Sequence, residues 1–224
     1  METTSEDPQT GDPVIVVDHA GAVVCWGVFN ADSMYRVRVL QMAWEVDVAP
    51  APNGTNGVVC DVAQVVDERV AAAARLREDL GVANDETNVY RLINSEGDRL
   101  SGLCVDIYGG DVAVASVSAA WVDFNREAVV KAIGAHVRVD TVVWRVDAKM
   151  IALELGRGSR KDGDDEEEDA PNEAQDTLEM HCYYDAKTGE QVGAPSGGVE
   201  VTEGGVKYAV DLEKGHKTAR LRPR

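Results

Sequence analysis

Short runs of alternating apolar residues closed by turn chemistry lie at both ends of this chain, and helical periodicity is confined to stretches between them. Strands are predicted at Val14–Val17, Val23–Phe29 and Tyr35–Leu40, with turns at Asp18–Gly21 and Asn30–Ser33. A helix is predicted from Asp61, as N-cap, to Leu80, with Val62, Val65, Val66, Arg69, Ala73, Leu76 and Leu80 along one stripe and Gly81 as its stop. On that reading Arg75 and Arg77 lie on the opposite, wet face. Further strands follow at Val89–Ile93, Leu103–Ile107 and Val112–Val117, then a helix Trp121–Ile133 ended by Gly134, a strand Thr141–Val146 and a short helix Ala148–Leu155. Val199–Thr202 and Val206–Leu212 flank a Gly-Gly turn as a hairpin. Strands, helix, then strands, with no regular βαβ alternation, define an α+β chain and not a doubly wound sheet.

The 224 residues are 44% apolar, enough for one or two domains with real cores. The formal net charge of -18 repels polyanions, so any nucleic-acid contact must come from a local basic patch. Much of the excess sits in Asp162–Asp169, DGDDEEED, followed by Glu173, Asp176 and Glu179. Such a block cannot bury enough apolar surface to offset its ordering entropy and is expected to be a solvated, disordered insert. It reads as a tolerated loop insertion, as a lure for a basic partner, or as a mimic of nucleic-acid charge. Cys25, Cys60, Cys104 and Cys182 are widely spaced with no CxxC, which predicts reduced, mostly buried thiols and no zinc site. His181 and Cys182 are neighbours and do not make a metal site by themselves. The polar, acidic N-terminus is unlike a secretory or organellar leader, and no run approaches the ~20 apolar residues of a membrane span, so the expectation is a cytoplasmic protein with no membrane partner.

In the third predicted strand Tyr35, Val37 and Val39 fall on one face and Arg36 and Arg38 on the other, which would bring two guanidinium groups out side by side. A planar guanidinium suits phosphate, making Arg36 and Arg38 the candidate RNA-binding residues; arginines on the wet face of a strand are equally ordinary. This stretch, GDPVIVVDHAGAVVCWGVFNADSMYRVRVL, resembles the PUA-like domain of a family of SAM-dependent RNA methyltransferases typified by bacterial ribosomal RNA large subunit methyltransferase I. Two further strings are similar to the same family. EGDRLSGLCVDIYGG keeps Glu96, Asp98, Leu100, Gly102, Leu103, Val105, Asp106 and Tyr108, with Ser101 where the family usually has proline. VDLEKGHKT has His216 where the family has glutamine.

The resemblance implies a small PUA-like β-barrel at 12–44, a linker and helix at 45–83, and an α+β middle domain at 84–218 carrying an insert at 157–198, between tails at 1–11 and 219–224. It further implies ribosomal RNA as partner, S-adenosyl-L-methionine as methyl donor, carbon-5 of a cytosine as target, and a homodimer by analogy. In the family the Rossmann-like catalytic domain follows the VDLEKGHKT string, whereas only six residues follow Thr218. The expectation is therefore an RNA-binding portion truncated before the catalytic domain, binding no cofactor and holding no catalytic residue within these residues. The alternatives are a stand-alone RNA-binding or regulatory module and an acidic protein-interaction module. Glu96, Asp98 and Asp106 can be read as catalytic or metal-binding carboxylates, or as turn acids that cap backbone amides. Lys214, Lys217, Arg220, Arg222 and Arg224 form a basic tail that either meets phosphates or merely frays.

Overall fold

The computed structural model describes residues 7–46, 60–157, 180–194, 198–212 and 222–223. The acidic block Asp162–Asp169 with Glu173, Asp176 and Glu179, the Pro50–Gly57 linker, and Lys214, Lys217, Arg220 and Arg224 lie outside the described residues.

Strands β1 (Pro13–Val17), β2 (Val23–Phe29) and β3 (Val37–Met42) form an antiparallel sheet in that order. The β1–β2 turn closes where Asp18 Oδ1 accepts the N–H groups of Ala20 and Ala22, at 2.8 and 2.9 Å. β3 starts later than its alternation predicts. Asn30 Oδ1 accepts from the Asp32 and Ser33 N–H groups at 3.0 and 3.1 Å, which folds residues 31–36 into a loop before pairing begins. A bulge at Trp26/Gly27 then shifts the register. Gly27 is required there, because a side chain would collide with the Arg38 carbonyl. As a result Leu40 is buried, while Tyr35 and Val39, expected on the packed face, are 63% and 46% exposed.

Helix α1 (Val62–Asp79) is capped by Asp61, whose side chain accepts from Ala63 and Gln64 N–H. It ends in a Schellman arrangement with Gly81 at φ +60, Gly81 N–H bonding the Glu78 carbonyl and Val82 N–H that of Arg77. Val65, Val66, Val70 and Ala73 are buried, whereas Leu76 and Leu80 leave the predicted stripe for solvent.

The central sheet runs β4 (Val89–Asn94), β5 (Leu103–Tyr108), β6 (Val112–Val117), β7 (Thr141–Val146), β8 (Met180–Asp185) and β9 (Gln191–Val192), in sequence order, so the insert expected at 157–198 is too long: its second half holds β8, which pairs along all of β7, and β9. Every pairing is antiparallel except β6 with β7. A parallel step needs a crossover, and α2 (Ala120–Phe124) and α3 (Arg126–His136) provide it. The single predicted helix is thus two, broken at Asn125, whose side-chain amide bonds back to the Trp121 carbonyl at 2.7 Å. Nor does Gly134 end it, since α3 continues to His136 and Gly134 lies against the backbone of Ala186. Helix α4 (Ala148–Glu154) follows β7, with Asp147 as its N-cap.

One face of this sheet shares a core with α1, α3 and the N-terminal sheet, through Val105, Ile107, Val142 and Trp144 among others. The opposite face, with Tyr108, Val114 and Val143, is covered by β10 (Val199–Glu203) and β11 (Val206–Val210). Gly204 and Gly205 turn that hairpin at φ +56 and +77. Arg222–Pro223, β12, pairs with β11. The fold is α+β, as its order of elements predicts.

Candidate functional site

The seam between the N-terminal sheet and the larger domain is held by Glu154, a residue that carries no signal in the sequence. Only 8% exposed at the end of α4, it collects three partners from three directions. Its Oε1 receives the Arg38 guanidinium of β3, its Oε2 the Ala120 N–H of α2 at 2.7 Å, and its carbonyl the Asn30 side-chain amide at 3.1 Å. Arg38 also reaches Ser101 Oγ at 3.3 Å, and that hydroxyl donates to Glu96 at 2.8 Å. Bonds from Ser95 and Ser101 hold the Glu96 carboxyl below its ordinary pKa.

The EGDRLSG string supplies the rest of the seam. Asp98 takes a bidentate pair from Arg77 of α1, at 2.6 Å to each oxygen, and the Asn94 N–H at 2.6 Å. Arg99 and Arg69 both pair with Glu45, just beyond β3. Asp106 is paired in turn by Arg91 at 2.8 and 3.0 Å. Each carboxylate of the string is therefore engaged structurally, which favours bracing over acid–base or metal chemistry. Among the described residues no group of three His, Cys, Asp or Glu is placed to hold a metal.

Arg77, predicted to lie wet, is thus committed to this seam. Burial alone would raise the Asp98 carboxyl, but the bonds from Arg77 and the Asn94 N–H hold it below its ordinary value. A lowered folded-state pKa adds stability that is complete above the unfolded value, about 3.9, and is lost as pH falls through the folded one. The urea midpoint of the native protein is expected to drop between about pH 5 and about pH 2 more steeply than that of Arg77→Met. Equal acid sensitivity in the two proteins would contradict this pairing.

Arg36 and Arg38, the predicted RNA-binding pair, do not emerge side by side. Arg38 is drawn inward to Glu154 and lies over the Tyr35 ring at 5.1 Å. Arg36 stays exposed in the loop before β3, one guanidinium nitrogen bonded to the Ala31 carbonyl. With Met34 and Tyr35 at 70% and 63% exposure, the loop presents a flat ring beside an open cation. Alternation alone could not find this, because the loop and the bulge break the period of two.

Two clefts of about 220 and 260 Å³ open on the helical side of the larger domain. Neither reaches the roughly 300–1,000 Å³ of a site for an extended ligand. A methyltransferase nucleotide cradle needs a glycine-rich turn from strand to helix. Here β6 leads into α2 through Ser118 and Ala119, and β7 into α4 through Asp147. Neither of these strand-to-helix turns among the described residues carries the glycines of such a cradle. Cys25, Cys60 and Cys104 are pushed towards the protonated thiol by burial.

A three-stranded module braced on an α+β domain is the class of architecture defined here. Residues 1–42 match the PUA-like domain family. Over nearly all its length the chain is similar to proteins named ribosomal RNA large subunit methyltransferase I. That of Alteromonas mediterranea is 27% identical over 208 residues, 93% of this chain and 42% of the relative. That of Shewanella denitrificans is 29% identical over 211 residues, 94% of this chain and 43% of the relative. The chain therefore spans less than half the length of these curated relatives.

Two solved structures share the fold. A Streptococcus mutans protein described as a SAM-dependent methyltransferase superposes with a TM-score of 0.55 at 15% identity, over 93% of this chain and 42% of its own. Another, described as a methyltransferase complexed with SAH, gives 0.57 at 13% identity, over 96% and 43%. The family resemblance read from three short strings extends along almost the whole chain. Among the described residues no helix is long and apolar enough to cross a membrane.

Proposed function

We propose that this chain is the RNA-engaging portion of a SAM-dependent ribosomal RNA methyltransferase, acting in the cytoplasm and presenting a cytosine for methylation at carbon-5. The observation that carries the reading is the similarity to ribosomal RNA large subunit methyltransferase I over more than 200 residues. The PUA-like module engages RNA through the loop before β3, where Tyr35 offers a stacking face and Arg36 a phosphate partner. Arg38 acts indirectly, by fixing Tyr35 and tying the module to Glu154.

With a net charge of -18, binding is expected to be weak and confined to this local surface. Fluorescence anisotropy with fragments of large-subunit ribosomal RNA tests it. Arg36→Glu is expected to weaken binding at least fivefold and to flatten the log–log salt dependence by about 0.7 for each phosphate that is no longer neutralised. Unchanged affinity and slope would remove Arg36 from the interface, and no RNA binding by the native chain would overturn the proposal.

A further inference from the structure

We infer that the smaller cleft, at the carboxyl end of β7, is a pocket for a single unpaired nucleobase bearing an amino group, with Arg157 meeting the adjoining phosphate. The inference rests on the RNA-binding reading above and assigns it a second point of attachment. Trp144 and Val146 of β7 and Ile151 and Leu155 of the α4 segment give the cleft apolar walls. At about 220 Å³ it accommodates one heterocycle and not an extended ligand.

The polar lining is built and oriented. Asp123 Oδ1 accepts from Trp144 Nε1 at 3.0 Å and from Arg126 at 3.1 Å, while its Oδ2 takes no bond from the described residues. A carboxylate oxygen only accepts, so it selects an amino-bearing edge, that of cytosine, adenine or guanine, over uracil. Arg126 is fixed by Tyr184 Oη at 2.6 Å, and its guanidinium lies 5.8 Å from the centres of the Trp144 and Tyr184 rings. Its side chain keeps 37% exposure, leaving a planar cationic surface for a base.

At the rim, Arg157 is exposed, its backbone N–H bonded to the Ala152 carbonyl and its guanidinium unpaired among the described residues. Gly156, its neighbour, packs against Asp32 in the loop that carries Tyr35 and Arg36. One RNA strand can therefore run from that loop past Arg157 while a single base turns into the cleft.

The test titrates cytidine 5′-monophosphate, uridine 5′-monophosphate and cytidine into ¹⁵N-labelled protein, following the Trp144 indole N–H that bonds Asp123. Cytidine monophosphate is expected to shift it saturably and the uridine nucleotide to bind about tenfold more weakly. Ala152→Phe, which fills the cleft, is expected to abolish the shift without lowering the urea midpoint. Arg157→Ala, on the surface, should weaken the nucleotide but leave cytidine unchanged. An unmoved indole, or full binding by Ala152→Phe, overturns the pocket. If an RNA oligonucleotide still binds these proteins through Arg36, the RNA-binding reading survives that failure; if no RNA binds either, both fall.

Discussion

Glu154→Ala is expected to cost about 3–5 kcal/mol of folding stability, read as a fall in the urea midpoint. Removing this carboxylate strands the Arg38 guanidinium, whose side chain is 24% exposed, and leaves the Ala120 N–H without its acceptor. A buried donor without a partner retains its desolvation cost, so the loss exceeds the net worth of the bonds themselves. The double variant Arg38→Met/Glu154→Leu should recover part of the loss, because matched apolar partners remove the stranded charge. The same variants separate stability from function, since Arg38→Met frees Tyr35 and should weaken RNA binding even where the protein is fully folded. A Glu154→Ala protein as stable as the native one would show the seam to be loose.

Gly134→Ala is expected to destabilise by about 3 kcal/mol or more, against the usual direction for a helix interior. Alanine is the better helix former by about 0.8–1.0 kcal/mol, so propensity alone predicts a gain. A Cβ at this position, however, falls inside the van der Waals distance of the Ala186 carbonyl oxygen, part of the backbone of the turn after β8. A flexible side chain could give way; here the helix or the turn itself must move. Val129, Val130 and Ile133 of α3 are all buried against the sheet, so displacing the helix opens the main core. A midpoint raised in Gly134→Ala would mean that α3 lies farther from the turn after β8 than this packing requires.

Much of this fold was legible in the sequence where one local rule acts alone. Asp61 and Gly81 bracket α1 as capping chemistry requires, and Gly204 and Gly205 turn the β10–β11 hairpin at positive φ. Reading failed where distant segments compete with local pattern. Gly134 looks like a helix stop because glycine is a poor helix former, yet it is there so that Ala186 can come close. Arg77 looks wet on the helical wheel until Asp98, distant in the chain, pairs with it. Arg36 and Arg38 are paired on one face by a period of two that the Asn30 turn and the Gly27 bulge interrupt, and the exposed Tyr35 ring escapes that pattern altogether. The three-way role of Glu154 had no signal at all, since one glutamate at the end of a short helix is commonplace and its partners come from three separate segments.

Ultraviolet cross-linking of the purified chain to large-subunit ribosomal RNA, with the modified peptides mapped by mass spectrometry, shows whether the loop before β3 meets RNA. Adducts are expected on the peptide carrying Met34, Tyr35 and Arg36, and they are expected to disappear at high salt and in Arg36→Glu. Adducts confined to other surfaces, or none above the background of an unrelated acidic protein, would contradict that contact.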